Sequence, residues 1–386
     1  MTTLDTIRQM DKRLTYLVKN MHQMHLAHKP TRSEPKYYTM QQASRLIGKT
    51  YRAVRDAEIA GYIDNPVKQG KTRPRGYSLA EINRARDHFG TRLVRRAIDP
   101  TIILPFSSFK GGSGKTTSAI HFAQYAAEAG LRVLLIDVDP QATTTAMFGY
   151  MPDEDIDSDS TIQPYIEGRI DSLSPVIRPT NWEGLSIIPS NLEVFGAEYL
   201  FASNASRELL EKLRRGIQTV EKDFDIIVID PPPSLGMLSL SVMHAANALI
   251  IPMPAAIPDV FSTKAYTTML VQTLESLDTY GFTVDYHFIK LLVTRLDENS
   301  ETQIDLVEAL PDIMGTGVLR NSVRKTAALD RATGKGRTLY EVSSKDMSSQ
   351  VLKRGLTYFN RANEEILTLV RQCWPSHHDQ LKNAGM

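Results

Sequence analysis

The sequence has a single cysteine, Cys373, among 386 residues, so one chain can build neither an internal disulfide framework nor a cysteine-ligated metal site. It has no apolar run near the ~18 residues of a membrane span. Its opening, T-T-L-D-T-I-R, lacks the apolar centre of a signal peptide. Together these absences predict a cytoplasmic protein. Overall charge is nearly absent too, at +1, but the balance hides a division. Residues 1–100 carry 20 Lys and Arg against 9 Asp and Glu, whereas the remainder carries 25 against 35. Such asymmetry predicts that the N-terminal part meets a polyanion. An apolar fraction of 42% with 23% charged residues is ordinary for a globular chain, and the length suits two or three domains.

What is there centres on residues 106–117, F-S-S-F-K-G-G-S-G-K-T-T. An apolar run, Ile102–Phe106, predicts a buried strand, and a helix is expected from Thr116. Glycines between them let successive backbone N–H groups curl round a phosphate, and the helix N-terminus adds positive dipole. Lys110, Gly111, Gly112, Ser113, Gly114, Lys115, Thr116 and Thr117 are therefore the candidate nucleotide-binding residues. Lys115 would reach the β/γ-phosphates, and the Thr116 hydroxyl would ligate Mg²⁺. The ordinary loop has glycine where this chain has Phe109, and here a second lysine, Lys110, opens the loop.

The N-terminal hundred residues divide again. Ile7, Met10, Leu14, Leu17, Met21 and Met24 follow a three-four spacing, the seam of a coiled coil. The stripe requires a partner, either the rest of this chain or a second copy, because an isolated helix of this length is marginal. Residues 30–35, P-T-R-S-E-P, break it. Thr39 is placed to cap the next helix, with Gln42 completing a capping box, and Gly48 ends it. In the helix after that, Val54, Ala57 and Ile59 are expected to be buried, with Lys49, Tyr51, Arg52 and Arg55 outward. A basic stretch with Lys68, Lys71, Arg73 and Arg75 then suggests a two-stranded wing, closing into a helix at Ser78. This order resembles a winged helix-turn-helix of the MerR kind, whose second helix enters the major groove. The plainer alternative is a small helical domain with a solvated basic face. The boundaries predicted are 1–29 for the first helix, 36–98 for the winged unit, 99–374 for the body and 375–386 for a tail.

In the body, Arg132–Ile136 predicts a strand delivering Asp137-Val138-Asp139-Pro140-Gln141 to the C-terminal edge of a sheet, where ligands of such sheets sit. Only one of the two aspartates is expected to face the γ-phosphate. Residues 149–181 lack periodicity and read as a mobile excursion. Asp225–Asp230 is a second buried strand ending in a carboxylate, with Asp230 placed to hold Mg²⁺ directly or through water. Further apolar runs at residues 248–252 and 287–293 complete a strand-helix alternation, which predicts an α/β, doubly wound parallel sheet. T-R-L-D at 294–297 is expected near the base, and residues 350–374 form a helix with Lys353, Arg354, Arg361 and Arg371 outward. Cys373 and Trp374 are expected to pack.

K-G-G-S-G-K-T-T, L-I-D-V-D-P-Q and I-I-V-I-D-P-P-P-S together resemble the deviant Walker A, A′ and B boxes of the ParA/MinD ATPases, and most closely the ParA partition ATPases. The winged unit extends the resemblance to the larger, type Ia, SopA-like members. The resemblance implies a slow ATPase using ATP and Mg²⁺, with Asp139 positioning water and Asp137 in support. It implies a nucleotide-sandwich homodimer in which Lys110 reaches the partner's phosphates, so that Lys110, Lys115 and Asp139 are the catalytic residues. It also implies nucleoid-associated dimers on nonspecific DNA, a ParB-type centromere-binding partner that stimulates hydrolysis, and repression of the partition operon through operator DNA. Lys49, Arg52, Arg55, Lys71, Arg73 and Arg75 are the candidate DNA contacts. A membrane role like that of MinD needs an amphipathic C-terminal helix, which P-S-H-H-D-Q-L-K-N-A-G-M does not offer. A relative of the nitrogenase iron protein needs bridging cysteines. The surviving alternative is a transcriptional repressor that binds ATP only as a ligand.

Overall fold

Runs of consecutive apolar residues become strands buried on both faces. The computed structural model describes residues 3–26, 36–64, 68–69, 73–74, 76–196, 207–234, 236–279, 281–383 and 385. Its first elements are α1 (Thr3–Leu26), α2 (Met40–Ile47), α3 (Tyr51–Ile59), β1 (Lys68–Gln69), β2 (Arg73–Pro74) and α4 (Leu79–Phe89). Next come β3 (Ile102–Pro105), α5 (Lys115–Glu128), β4 (Val133–Asp137), α6 (Thr143–Met147), α7 (Gln163–Ile166), β5 (Arg178–Pro179) and β6 (Leu185–Ile188). The chain continues through α8 (Arg207–Gln218), β7 (Ile226–Asp230), α9 (Met237–Ala245), β8 (Leu249–Pro254), α10 (Ile257–Thr279) and β9 (Ile289–Thr294). It ends with α11 (Glu301–Met314), α12 (Ala327–Thr333), α13 (Ser349–Gln372) and α14 (His378–Asn383).

The central sheet runs β3-β7-β4-β6-β5, and β8 pairs with β9. A parallel bridge between Phe106 and Ile250 sets that pair beside β3. All these pairings are parallel except β5 with β6. Strand alternation sends successive residues to opposite cores. Ile102, Leu104, Val133, Leu135, Ile226 and Val228 face α5 and α13, where Phe122, Phe359 and Val370 meet them. Ile103, Leu134, Ile136, Ile227 and Ile229 face the other layer, with Leu213 and Val242. A strand covered on both sides has no polar face, which is why these runs do not alternate in sequence. The expected α/β parallel sheet is the observed one.

The N-terminal unit has its own small core, built from Tyr38, Ile47, Val54, Tyr77 and Ile82 among others. Thr39 with Gln42 and Ser78 with Glu81 form capping boxes, and Gly48 closes α2 in the left-handed region at φ 73°. One expectation fails here: Ile59 is 73% exposed, and its neighbour Glu58 is buried instead. The buried carboxylate is compensated by the Tyr77 hydroxyl and by Arg55. This unit rests on the far end of α5. Tyr38 donates to Glu128 at 2.8 Å, Lys36 pairs with it at 3.2 Å, and Arg86 donates to its carbonyl at 2.9 Å. The Lys36 ammonium also lies 4.7 Å from the Trp182 ring centre.

Two other stretches differ from their sequence signal. Residues 149–181 are packed, with Ile156, Ile162, Leu173 and Val176 buried. Their apolar residues are separated by tight turns and short helices, so no single period shows. The tail carries α14 and is anchored: Ser376 N–H donates to Asp99 at 3.0 Å, and Trp374 donates to the Pro100 carbonyl at 2.9 Å. Trp374 is wholly buried, as expected of a packing residue, and Cys373 is half-buried. On α1, Ile7, Met10, Leu14 and Leu17 are more than half exposed, so the described part of the stripe is not covered by this chain. The side chains of Met21 and Met24 lie outside the described residues.

Candidate active site and nucleic-acid interface

Three strands at the centre of the sheet end side by side, and each delivers one component to the same edge. After β3, Ser108 and Ser113 close the loop base through their hydroxyls at 2.6 Å. Phe109, the residue that departs from the ordinary loop, packs edge-on to Tyr266 with ring centres 5.1 Å apart. It anchors the start of the loop in the core, where glycine would leave a gap. Gly112 and Gly114 sit at φ 74° and 91°, which a side chain resists. The end of β9 holds the loop from outside: Thr294 donates to the Ser113 carbonyl at 2.7 Å, and Arg295 to that of Gly112 at 2.9 Å.

Helix α5 starts at Lys115 with no side-chain cap on its first N–H groups. Uncapped donors at a helix start form an anion site. The Lys115 side chain is buried, which pulls its pKa down, while Asp230 and Asp139 oppose that shift. A desolvated ammonium under the pull of two carboxylates, at a helix start whose N–H groups have no side-chain cap, suits a polyphosphate. A cavity of about 520 Å³ extends from the loop along Thr117, Arg295, Lys325, Thr326 and Asp330. A larger one, about 630 Å³, lies against Lys36, Glu128 and Tyr340, away from the phosphate loop.

Asp137 and Asp230 stand opposite each other on β4 and β7, and both are buried. Burial is the main cause that pushes both carboxyls up, and for Asp137 the facing Asp230 adds to it. Hydrogen bonds offset the cost. Asp137 accepts from Thr145 N–H at 2.9 Å, Thr145 Oγ1 at 2.7 Å and Asp139 N–H at 3.1 Å. Asp230 Oδ2 accepts from Thr144 Oγ1 at 2.7 Å, and the Thr116 hydroxyl interacts with the same carboxylate. Asp230 Oδ1 has no hydrogen-bond partner among the described residues. An orphaned carboxylate oxygen beside a threonine hydroxyl fits a hard divalent cation such as Mg²⁺, with Thr116 and Asp230 to hold it.

Asp139 is half-buried at the same edge. Alternation alone would put residues two apart on one face of a strand, so the two aspartates part for another reason. Strand β4 ends at Asp137, and the chain turns through Pro140 and Ala142. Asp139 Oδ1 accepts from Gln141 N–H at 2.9 Å. Ala142 and Arg295 are the non-glycine residues with left-handed backbone among those described, at φ 51° and 53°. Arg295 touches the phosphate loop at Gly112, and Ala142 lies in the turn that carries Asp139, places where such strain is commonly held.

Lys110 is set apart from this cluster. It pairs at 2.7 Å with Asp259, a buried carboxylate in the first turn of α10. Sequence reasoning missed Asp259, Thr144 and Thr145. The threonines had a visible signal, A-T-T-T directly after D-P-Q, and Asp259 follows a buried strand ending at the same sheet edge.

The candidate DNA contacts lie elsewhere. Lys49, Arg52 and Arg55 are exposed, but none is isolated. Lys49 sits 5.6 Å from the Phe89 ring centre, Arg52 is 3.8 Å from Asp56, and Arg55 is 2.9 Å from Glu58. Lys71 and Arg75 lie outside the described residues, as do the side chains of Lys68 and Arg73. On α13, Lys353 and Arg361 are exposed, Arg371 is half-buried, and Arg354 is tied to Glu298 together with Arg324.

The geometry agrees with what the chain is similar to. The family model described as an AAA domain matches residues 101–280. Protein SopA of Escherichia coli strain K12 is 37% identical over 320 residues, covering 80% of this chain and 81% of SopA. A solved structure described as a partition protein has 20% identity and a TM-score of 0.66, covering 96% of this chain and 99% of that one. Cobyrinic acid a,c-diamide synthase from Mycobacterium smegmatis, solved with bound ATP analogue and magnesium, has 24% identity and a TM-score of 0.54, covering 69% of this chain and 94% of its own. Carboxylates, lysine and glycine loop converge at one sheet edge, and the likeness to SopA runs through most of both chains: the protein belongs to the ParA/SopA-like family of partition ATPases.

Proposed function

We propose that the protein hydrolyses ATP with Mg²⁺ and uses the cycle to partition DNA, binding nonspecific DNA as an ATP-dependent dimer. The observation that carries this reading is the convergence at one edge of uncapped α5 N–H groups, buried Lys115 and the open Oδ1 of Asp230. Mg²⁺, when bound by Thr116 and Asp230, supplies charge neutralisation at the β/γ-phosphates. Lys115 and the loop N–H groups bind and orient the phosphates. Asp139 aligns the attacking water in line, and its loop is fixed by the bonds to Asp137.

Lys110 has a different place in the cycle. Its pairing with Asp259 occupies it within one chain, so adding charge to a second subunit's phosphates requires exchange of that partner. Turnover of the lone chain is then slow, and assembly on DNA with a ParB-type partner accelerates it. The exposed stripe Ile7, Met10, Leu14 and Leu17 supports α1 as a dimerisation helix. The N-terminal unit is read as a winged helix-turn-helix that holds operator DNA with α3 and the β1-β2 hairpin, repressing the protein's own operon. Lys353 and Arg361 are proposed contacts for nonspecific DNA. The place of action proposed is the nucleoid; no helix among the described residues is long and apolar enough to cross a membrane.

A second reading, an ATP-responsive repressor without partition activity, is favoured by the docking of the basic N-terminal unit on the end of the phosphate-loop helix. ATP turnover decides between them. It is measured with nonspecific DNA, with and without the candidate partner encoded beside this gene. A low basal rate that rises with both supports partition; ATP binding without stimulated turnover supports the repressor.

A further inference from the structure

The stretch from Asp137 to Thr145 closes on itself. It leaves β4 at Asp137, turns at left-handed Ala142, and returns through α6 to bond Asp137 again through both the backbone and the hydroxyl of Thr145. The Thr145 hydroxyl accepts from Ser190 N–H at 2.8 Å, so its single proton is committed to Asp137. One residue earlier, Thr144 gives its only proton to Asp230 Oδ2. Both threonines are wholly buried. Consecutive hydroxyls on one short helix thus hold two carboxylates on two different strands, and the loop between them carries Asp139.

We propose that Thr144 and Thr145 are positioning residues that set the hydrolytic site from the water-aligning loop. Thr144 turns the Asp230 carboxylate so that Oδ1 is left for the metal, and Thr145 fixes the register of the Asp139 loop on β4. The two halves of the site are thereby joined: the loop cannot shift without pulling on the carboxylate that serves the metal. The inference rests on the reading that Asp230 serves a nucleotide-bound Mg²⁺.

Neither threonine is asked to touch ATP, so the test separates metal affinity from turnover. Affinity for a fluorescent ATP analogue is titrated against free Mg²⁺ and repeated in EDTA, for wild type, Thr144→Val, Thr144→Ser, Thr145→Val and Thr145→Ser, with single-turnover hydrolysis alongside. Thr144→Val keeps the shape and loses the hydroxyl. It should raise the Mg²⁺ required for half-maximal tightening about tenfold, as loss of a group orienting a metal ligand commonly does. Its affinity in EDTA should stay unchanged, and Thr144→Ser should restore the wild-type requirement. Thr145→Ser keeps both wild-type values, and Thr145→Val should slow single-turnover hydrolysis while leaving the Mg²⁺ requirement alone. An unchanged Mg²⁺ requirement in folded Thr144→Val overturns the inference. So does an equal loss of affinity with and without Mg²⁺, which would make the hydroxyl a support of the fold only. If Thr144→Val does not fold, Thr144→Ala removes the same hydroxyl with less bulk and is judged by the same outcomes. A wild type indifferent to Mg²⁺ would remove the metal reading itself, a result distinct from failure of the variants alone.

Discussion

The phosphate edge and the N-terminal unit handle charge in opposite ways. At the edge, Lys115, Asp137 and Asp230 are buried, the two carboxylates are held by threonine hydroxyls at 2.7 Å, and Asp230 Oδ1 is left without a partner among the described residues. On α3, Arg52 and Arg55 are exposed and already paired with acids of their own helix. Burying charges costs several kcal/mol unless they are compensated, so a buried cluster left partly open marks a site preorganised for its ligand. The exposed Arg52–Asp56 pair holds ~0–1 kcal/mol and is readily exchanged, whereas Arg55 also compensates buried Glu58. In the proposed function such an exchangeable cation suits a surface that binds and releases a polyanion. In the proposed function, the first region is specific by geometry and the second by shape and total charge.

The strongest way to break this comparison is Lys115→Ala. It removes the buried cation from the edge and should abolish ATP-dependent association with DNA while leaving nucleotide-independent binding in place. A sedimentation or mobility assay that found ATP-dependent binding retained would sink the phosphate-loop assignment.

A second test uses His121, one helical turn beyond Thr117 on α5. Its Nδ1–H donates to the Thr117 carbonyl at 2.7 Å, its Nε2 accepts from Leu339 N–H at 3.2 Å, and its ring stacks on Phe359. Burial pulls its pKa from 6.5 down to about 4. In that window the unfolded chain binds the proton and the folded one does not. Stability is therefore full above pH 6.5 and is lost as pH falls toward 4, by up to about 3 kcal/mol. Urea unfolding across this range should show the loss, and His121→Gln should flatten it. An unchanged pH slope in that variant would mean that other groups carry the dependence.

The smallest expected effect lies on the exposed side. Arg52→Ala should leave urea stability within ~0.5 kcal/mol and reduce the salt slope of DNA binding by about one. A stability loss well above that would show that Arg52 supports the unit instead of serving DNA.

The same contrast explains what the sequence made legible. The sheet was readable because β3, β4 and β7 are apolar on both faces, and the loop because glycine and lysine spacing follows from phosphate geometry. The capping box at Thr39 was readable from Gln42 three residues on, and the helix start at Ser78 was readable too, although its box with Glu81 was not drawn from the sequence. Asp259 was not, because its partner Lys110 lies 149 positions away and only the fold brings them together. Ile59 was misplaced because Glu58, an unexpected core residue, took its position once Tyr77 and Arg55 could compensate the charge. Packing in residues 149–181 escaped notice because short turns leave no period to detect.

The measurement that bears most directly on the account is single-turnover ATP hydrolysis by Asp139→Ala beside wild type, with Mg²⁺, DNA and the candidate partner present and dimer formation followed in the same samples. The account predicts that the variant binds ATP and assembles as wild type does, while hydrolysis falls at least about a hundredfold, the usual scale for losing a group that positions the nucleophile or its proton. Normal turnover in an assembled Asp139→Ala dimer would contradict it, and would move the water-aligning role to another group at the sheet edge.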